Sequence, residues 1–117
     1  PGAAVGAAIA APGVPVVCLI GDGGLQFSPG ELRTAVDEKL PITYVVWNNA
    51  GFREIAEALR QAKVPVILGC EPSPLDMEHF AMACDMLFAR VPQDPEELAD
   101  MLATPQDGPR LLEIQVR

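Results

Sequence analysis

The chain has 117 residues, with 16 acidic and 8 basic side chains, one His and a formal net charge of -8 at pH 7. That length suits one domain, and a hydrophobic content of 50% is too high for disorder. The acidic balance argues against a nucleic-acid binder, which needs a basic face to contact phosphates.

In chain order, residues 1–21 carry no charge, and Asp22 breaks the run. A membrane span or signal peptide is the first thought for such a stretch. However, Pro12-Gly13-Val14-Pro15 divides it, and no Lys or Arg precedes it. The better reading is an Ala/Gly-rich buried helix over about Gly2 to Ala11, a turn, then a strand from Val16 to Ile20. A continuous apolar run of that kind reads as a central parallel strand. A Pro1 start without Met, leading straight into such a helix, suggests a piece of a longer protein. Cys18, Cys70 and Cys84 are odd in number and lack C-x-x-C spacing, so they fit reduced thiols in a cytosolic protein. His79, alone, cannot build a His cluster.

Gly21-Asp22-Gly23-Gly24 forms a turn after the first strand. Ser28-Pro29-Gly30-Glu31 reads as a capping box opening a helix to about Lys39, and Pro41 stops it. Ile42 to Trp47 is a second buried strand, ending at Asn48-Asn49-Ala50-Gly51. A helix from Phe52 to about Ala62 precedes an irregular stretch in which Val64 to Leu68 is either a short strand or an extended crossing. Asp76 caps a helix carrying Met77, Phe80, Ala81 and Cys84. Met86 to Val91 is a third strand, Asp94-Pro95-Glu96-Glu97 opens a last helix, and Leu111 to Val116 is a last strand. This alternation predicts an α/β domain of three layers, α/β/α, with a mostly parallel sheet.

Two turns carry the chemistry. They follow successive strands joined by one helix, so both should emerge at the carboxyl edge of the sheet, where open α/β folds bind ligands. The first offers the Asp22 carboxylate among glycines, and the second offers the Asn48 and Asn49 amides, Gly51 and a helix N-terminus. Hard oxygens beside exposed N–H groups suit a Mg2+-bridged phosphate, because Mg2+ takes only one or two protein carboxylates. Other phosphate motifs fit worse: position 26 is Gln where a dinucleotide fingerprint needs Gly, and no Gly-Lys-Ser/Thr occurs.

Gly21-Asp22-Gly23, followed beyond residues 24–47 by Asn48-Asn49, resembles the metal-diphosphate motif of thiamine-diphosphate-dependent enzymes. Pro1 to Ala8, Gly24-Leu25-Gln26-Phe27, Glu31 to Ala35 and Val45 to Phe52 resemble its surroundings, so the likeness covers nearly the whole chain and is weakest over 63–74. The group most similar is the acetolactate synthase-like enzymes and 2-oxo acid decarboxylases, whose carboxy-terminal diphosphate-binding (PP) domain would be residues 1–117, truncated at its N-terminal side. The resemblance implies Mg2+ ligation by Asp22, Asn49 and the Gly51 carbonyl. It also implies diphosphate contacts from Gly21, Gly23, Gly24 and the turn around Arg53, with Gln26 and Phe52 bordering the cofactor. Asn48 shapes the turn, and Glu54 stands out of register for the catalytic Glu of some decarboxylases.

The family's activating Glu lies on a separate pyrimidine-binding domain, from the same or a partner subunit, so no catalytic residue is expected in this chain, which alone would be inactive. The remaining implications are a cytoplasmic homodimer or homotetramer acting on a small 2-oxo acid, with no nucleic acid or membrane partner. The rival readings are a non-catalytic α/β regulatory or interaction module that has lost the cofactor, and a nucleotide-binding flavodoxin-like domain.

Overall fold

The computed structural model describes residues 1–65 and 68–116. Four strands, β1 (Val16–Gly21), β2 (Ile42–Asn48), β3 (Leu87–Arg90) and β4 (Arg110–Gln115), form one sheet in the order β1-β2-β4-β3. Every pairing is parallel, with Val16 opposite Ile42 and Thr43 opposite Arg110. Among the described residues six helices flank the strands: α1 (Gly2–Ala10) before β1, then α2 (Asp22–Leu25), α3 (Gly30–Asp37), α4 (Arg53–Gln61), α5 (Met77–Ala83) and α6 (Pro95–Ala103) between strands. The expected α/β architecture with a parallel sheet is therefore the one observed.

Alternation along the strands sorts the side chains into two cores. Ile42, Tyr44, Val46 and Leu111 meet α1, α2, α3 and α5 through Val5, Leu25, Leu32 and Met77. On the other face Val45, Leu112 and Ile114 meet α6 through Leu98, Met101 and Leu102. Helix α4 stands outside both cores and buries only Ala56. The Tyr44 hydroxyl is fully buried and finds no hydrogen-bond partner among the described residues; burial pushes its pKa well above the ordinary value. No described helix is long and apolar enough to cross a membrane.

The structure corrects several expectations. Strand β1 lies at the edge of the sheet, not its centre, and one face of it is bare: Val17 is 54% and Leu19 71% exposed. Its apolar run was indistinguishable from that of β2, which has neighbours on both sides and buries five consecutive residues. Helix α1 likewise buries only Ala4, Val5 and Ala8 and leaves Ile9 exposed. The turn after β1 closes into the single helical turn α2. The capping box does not form: α3 starts at Gly30 without a side-chain cap, and the Ser28 carbonyl accepts from Glu31 N–H instead. By contrast, Asp76 accepts from the Glu78 and His79 N–H groups, and Asp94 accepts from Glu96 N–H beside Pro95, as their sequence context predicts. The 64–68 expectation lies partly outside the described residues, since 66 and 67 are not among them.

Candidate functional site

Strands β1 and β2 run parallel and in register, Gly21 opposite Trp47, so both following turns emerge together. A cleft of about 170 Å³ opens between them, and Gly21, Asp22, Gly23, Gly24, Asn49, Gly51, Phe52 and Arg53 all line it, with Trp47, Glu54 and Ile55. Two larger clefts, of about 490 and 610 Å³, adjoin it on the α5 and α4 sides. The oxygen donors converge in the smallest of the three.

Asp22 is 5% exposed although charged. It is the first residue of α2, and its carboxylate reaches across to the second turn, where Oδ2 accepts from Gly51 N–H at 3.0 Å and Oδ1 from Asn49 N–H at 3.4 Å. These bonds tie the turns together and offset the desolvation of the acid. One side-chain amide atom of Asn49 lies 2.8 Å from the Gly51 carbonyl oxygen and 3.3 Å from Asp22 Oδ1. With nitrogen there, the amide donates to both oxygens. With oxygen there, three oxygens converge, which is stable only around a cation. Neighbouring ligand oxygens of an octahedral Mg2+ stand about 3 Å apart, close to the two separations that the Asn49 amide atom makes here.

The second turn owes its shape to two left-handed residues, Ala50 (φ 59°) and Gly51 (φ 149°). A Cβ on Gly51 would stand 2.9 Å from the Cys70 carbonyl oxygen, and that carbonyl accepts from Phe52 N–H at 3.0 Å. The segment around Cys70 thus folds back as a clamp on the turn. A Cβ on Gly23 would stand 2.5 Å from the Phe52 ring, so glycine there admits the ring, which also tilts against Phe27 at a centroid distance of 6.0 Å. The first N–H groups of α2 and α4 have no intrahelical acceptors, and α4 carries no side-chain cap. Both helices begin at the cleft and present N–H donors there, and the nine-residue α4 adds a positive dipole end suited to an anion. Gln26 sits at the end of α2 and donates to the Asp22 carbonyl at 3.2 Å.

Sequence reasoning missed Glu113. It lies in β4, is 1% exposed, and accepts from Asn48 Nδ2 at 2.6 Å and Arg90 Nε at 2.9 Å. The signal was available: an acid inside the apolar run Leu111-Leu112-Glu113-Ile114 needs partners if the strand is buried. The Cys70 clamp, in contrast, is made by a backbone carbonyl and left no mark in the sequence.

The family model described as "Thiamine pyrophosphate enzyme, C-terminal TPP binding domain" matches residues 1–114. The chain belongs to this family. Acetolactate synthase of Bacillus subtilis (strain 168) is 32% identical to it over 97% of the chain and 20% of the relative's length. Oxalyl-CoA decarboxylase of Escherichia coli (strain K12) is 36% identical over 68% of the chain and 13% of the relative. Among solved structures, the thiamine diphosphate-dependent 4-hydroxybenzoylformate decarboxylase of Rhodococcus jostii RHA1 superposes with a TM-score of 0.85 at 26% identity, covering 98% of this chain and 22% of that one. The chain thus spans about a fifth of the length of these full-coverage relatives. Its relatives are thiamine-diphosphate-dependent decarboxylases and synthases, as the sequence motifs imply.

Proposed function

We propose that this TPP-binding domain holds the diphosphate of thiamine diphosphate through a Mg2+ ion. Asp22, the Asn49 amide oxygen and the Gly51 carbonyl supply the protein ligands. The observation that carries this reading is the meeting of the Asp22 carboxylate, the Gly51 carbonyl and one Asn49 amide atom, 2.8 Å from that carbonyl and 3.3 Å from Asp22 Oδ1, in the cleft where α4 begins. The metal answers the charge problem as well, since a chain of net charge -8 binds a polyanion better through a divalent cation than through its few basic side chains.

Each residue then has a task. Asp22 supplies the full negative charge, while Asn49 and Gly51 supply neutral oxygens and leave the remaining coordination positions for phosphate and water. The N–H groups of Gly23 and Gly24, and those opening α4 at Arg53, receive phosphate oxygens left free by the metal. Gly21 lets the chain leave β1 close to the ligand. Phe52, wedged over Gly23, walls the cleft and would border the bound cofactor. When bound, thiamine diphosphate is the electron sink that lets a 2-oxo acid lose CO2. This chain binds and orients it and moves no proton.

The domain forms, in this reading, the PP domain of a longer cytoplasmic enzyme. A pyrimidine-binding domain of the same or a partner subunit supplies the activating Glu, within a homodimer or homotetramer. The reaction decarboxylates a small 2-oxo acid or ligates the decarboxylation product to a second carbonyl compound. Support comes from the synthases and decarboxylases among the relatives, and from the small share of their length that the chain spans. Calorimetric titration of the full-length protein with thiamine diphosphate tests the site, with and without Mg2+. Binding that requires Mg2+ and disappears in Asp22→Ala is expected. Equal binding without metal, or by the variant, would falsify the metal bridge, and no binding at all would favour a non-catalytic module.

A further inference from the structure

We propose that Glu113, on β4 and outside the cleft, is a positioning residue that sets the conformation of the cation-holding turn through Asn48. The proposal rests on the metal-site reading above. A continuous chain of hydrogen bonds supports it. Glu113 Oε1 accepts from Asn48 Nδ2 at 2.6 Å. That bond fixes the orientation of the Asn48 amide, so its Oδ1 accepts from Ala50 N–H at 3.0 Å. Ala50 is held in the left-handed region that alanine disfavours, and the next N–H, that of Gly51, donates to Asp22 Oδ2 at 3.0 Å.

The anchor is stiff because Glu113 is almost fully buried, and its second oxygen is held by Arg90, whose guanidinium lies 5.6 Å from the Phe88 ring centroid. Strand pairing reinforces it, since Asn48 and Gln115 are partners in register and Val116 N–H donates to the Asn48 carbonyl at 2.8 Å. Asn48 is not among the residues lining the 170 Å³ cleft and acts on it through the backbone. It transmits the position of β4 to the Gly51 carbonyl and the Asn49 amide, which must point the same way to share one cation. Groups that orient metal ligands typically affect affinity by about 10–100-fold.

The test measures the Mg2+ dissociation constant of the full-length protein in saturating thiamine diphosphate, together with the melting temperature of the ligand-free protein. Asn48→Ala, and Glu113→Leu, which preserves volume, are each expected to weaken Mg2+ binding at least about 10-fold. The double variant should be no weaker than the worse single one, because both substitutions cut the same chain. Glu113→Gln keeps an amide oxygen for Asn48 while half-exposed Arg90 turns to solvent, so it should recover most of the wild-type affinity.

An unchanged Mg2+ dissociation constant in Asn48→Ala would overturn the proposal, even with a lowered melting temperature; so would losses that simply multiply in the double variant. Should Glu113→Leu fail to fold, Asn48→Ala and Glu113→Gln decide the matter, because neither empties the β4 position. Wild-type protein that binds no Mg2+ with thiamine diphosphate overturns the metal-site reading and this proposal with it, whereas a binding wild type with indifferent variants overturns the positioning role alone.

Discussion

The turns after β1 and β2 deliver oxygen to the same place by opposite means. The first is regular: Asp22 opens a helical turn, and its buried carboxylate is held by N–H groups from across the cleft. The second is irregular, with two consecutive left-handed residues, and is held from outside by the Cys70 carbonyl and by the Glu113–Asn48 bond. In the proposed metal site, a charged ligand whose position is set by a helical turn needs little further support. Neutral ligands would have to be aimed, and here the surrounding structure holds the turn that carries them. The two turns should therefore respond differently to substitution.

The largest effect is expected in the first turn. Asp22→Ala removes the only charge among the three oxygens and should weaken Mg2+-dependent cofactor binding by more than about 100-fold, beyond what loss of an orienting group costs. Asp22→Asn keeps the shape but not the charge, and calorimetry should rank it between wild type and Asp22→Ala.

The second turn should fail through its backbone instead. Gly51→Ala places a Cβ at 2.9 Å from the Cys70 carbonyl oxygen at a φ of 149°. It should lower stability by about 1–3 kcal/mol in chemical denaturation. Gly23→Ala joins the two regions, because its Cβ would collide with the Phe52 ring of the other turn. Loss of cofactor affinity is expected there, with Phe52→Ala in the same chain restoring part of it. If the second substitution restores nothing, the collision is not the cause.

Much of the first turn was legible in the sequence, and less of the second. Asp22 announced itself as the first charge after an uncharged run, and Asn48-Asn49-Ala50-Gly51 after a β-branched strand marked a polar turn. The supports of the second turn come from residues far along the chain, Cys70 and Glu113, and proximity of that kind is set by strand order. Strand order also explains the misreading of β1. Periodicity reports that a run is apolar, not whether a neighbouring strand and helix will cover it, and Val17 and Leu19 remain exposed for that reason. Fully burying a side chain of that size contributes about 1.5–3 kcal/mol, which β1 realises on one face only. Caps were read correctly where Asp precedes the helix and wrongly at Ser28, where the preceding helical turn leaves the hydroxyl without a role as a cap.

Smaller effects lie away from both turns and act as controls. Asp94→Ala removes the cap of α6 and should cost about 1 kcal/mol while leaving Mg2+-dependent binding intact. Tyr44→Phe removes a buried hydroxyl that finds no partner among the described residues and should stabilise the fold by about 1 kcal/mol.

The exposed Asp76–His79 pair gives a weak pH dependence. The N–H and side chain of His79 hold the Asp76 carboxyl below its usual range, and Asp76 raises the imidazole above its own. The Asp76 contribution is present above the unfolded carboxylate pKa and is lost as pH falls through the depressed folded value. The His79 contribution is full below the unfolded imidazole pKa and is lost as pH rises through the raised folded value. A shallow maximum in melting temperature between the two is expected, and Asp76→Asn should flatten it.

The most direct measurement is a crystal structure of the full-length protein with thiamine diphosphate and Mn2+ in place of Mg2+, with data collected at the manganese edge. One anomalous peak is expected within coordination distance of Asp22, the Asn49 amide oxygen, the Gly51 carbonyl and oxygens of the diphosphate. A diphosphate seated in the cleft with no metal beside it, or a metal that does not touch these three residues, would contradict it.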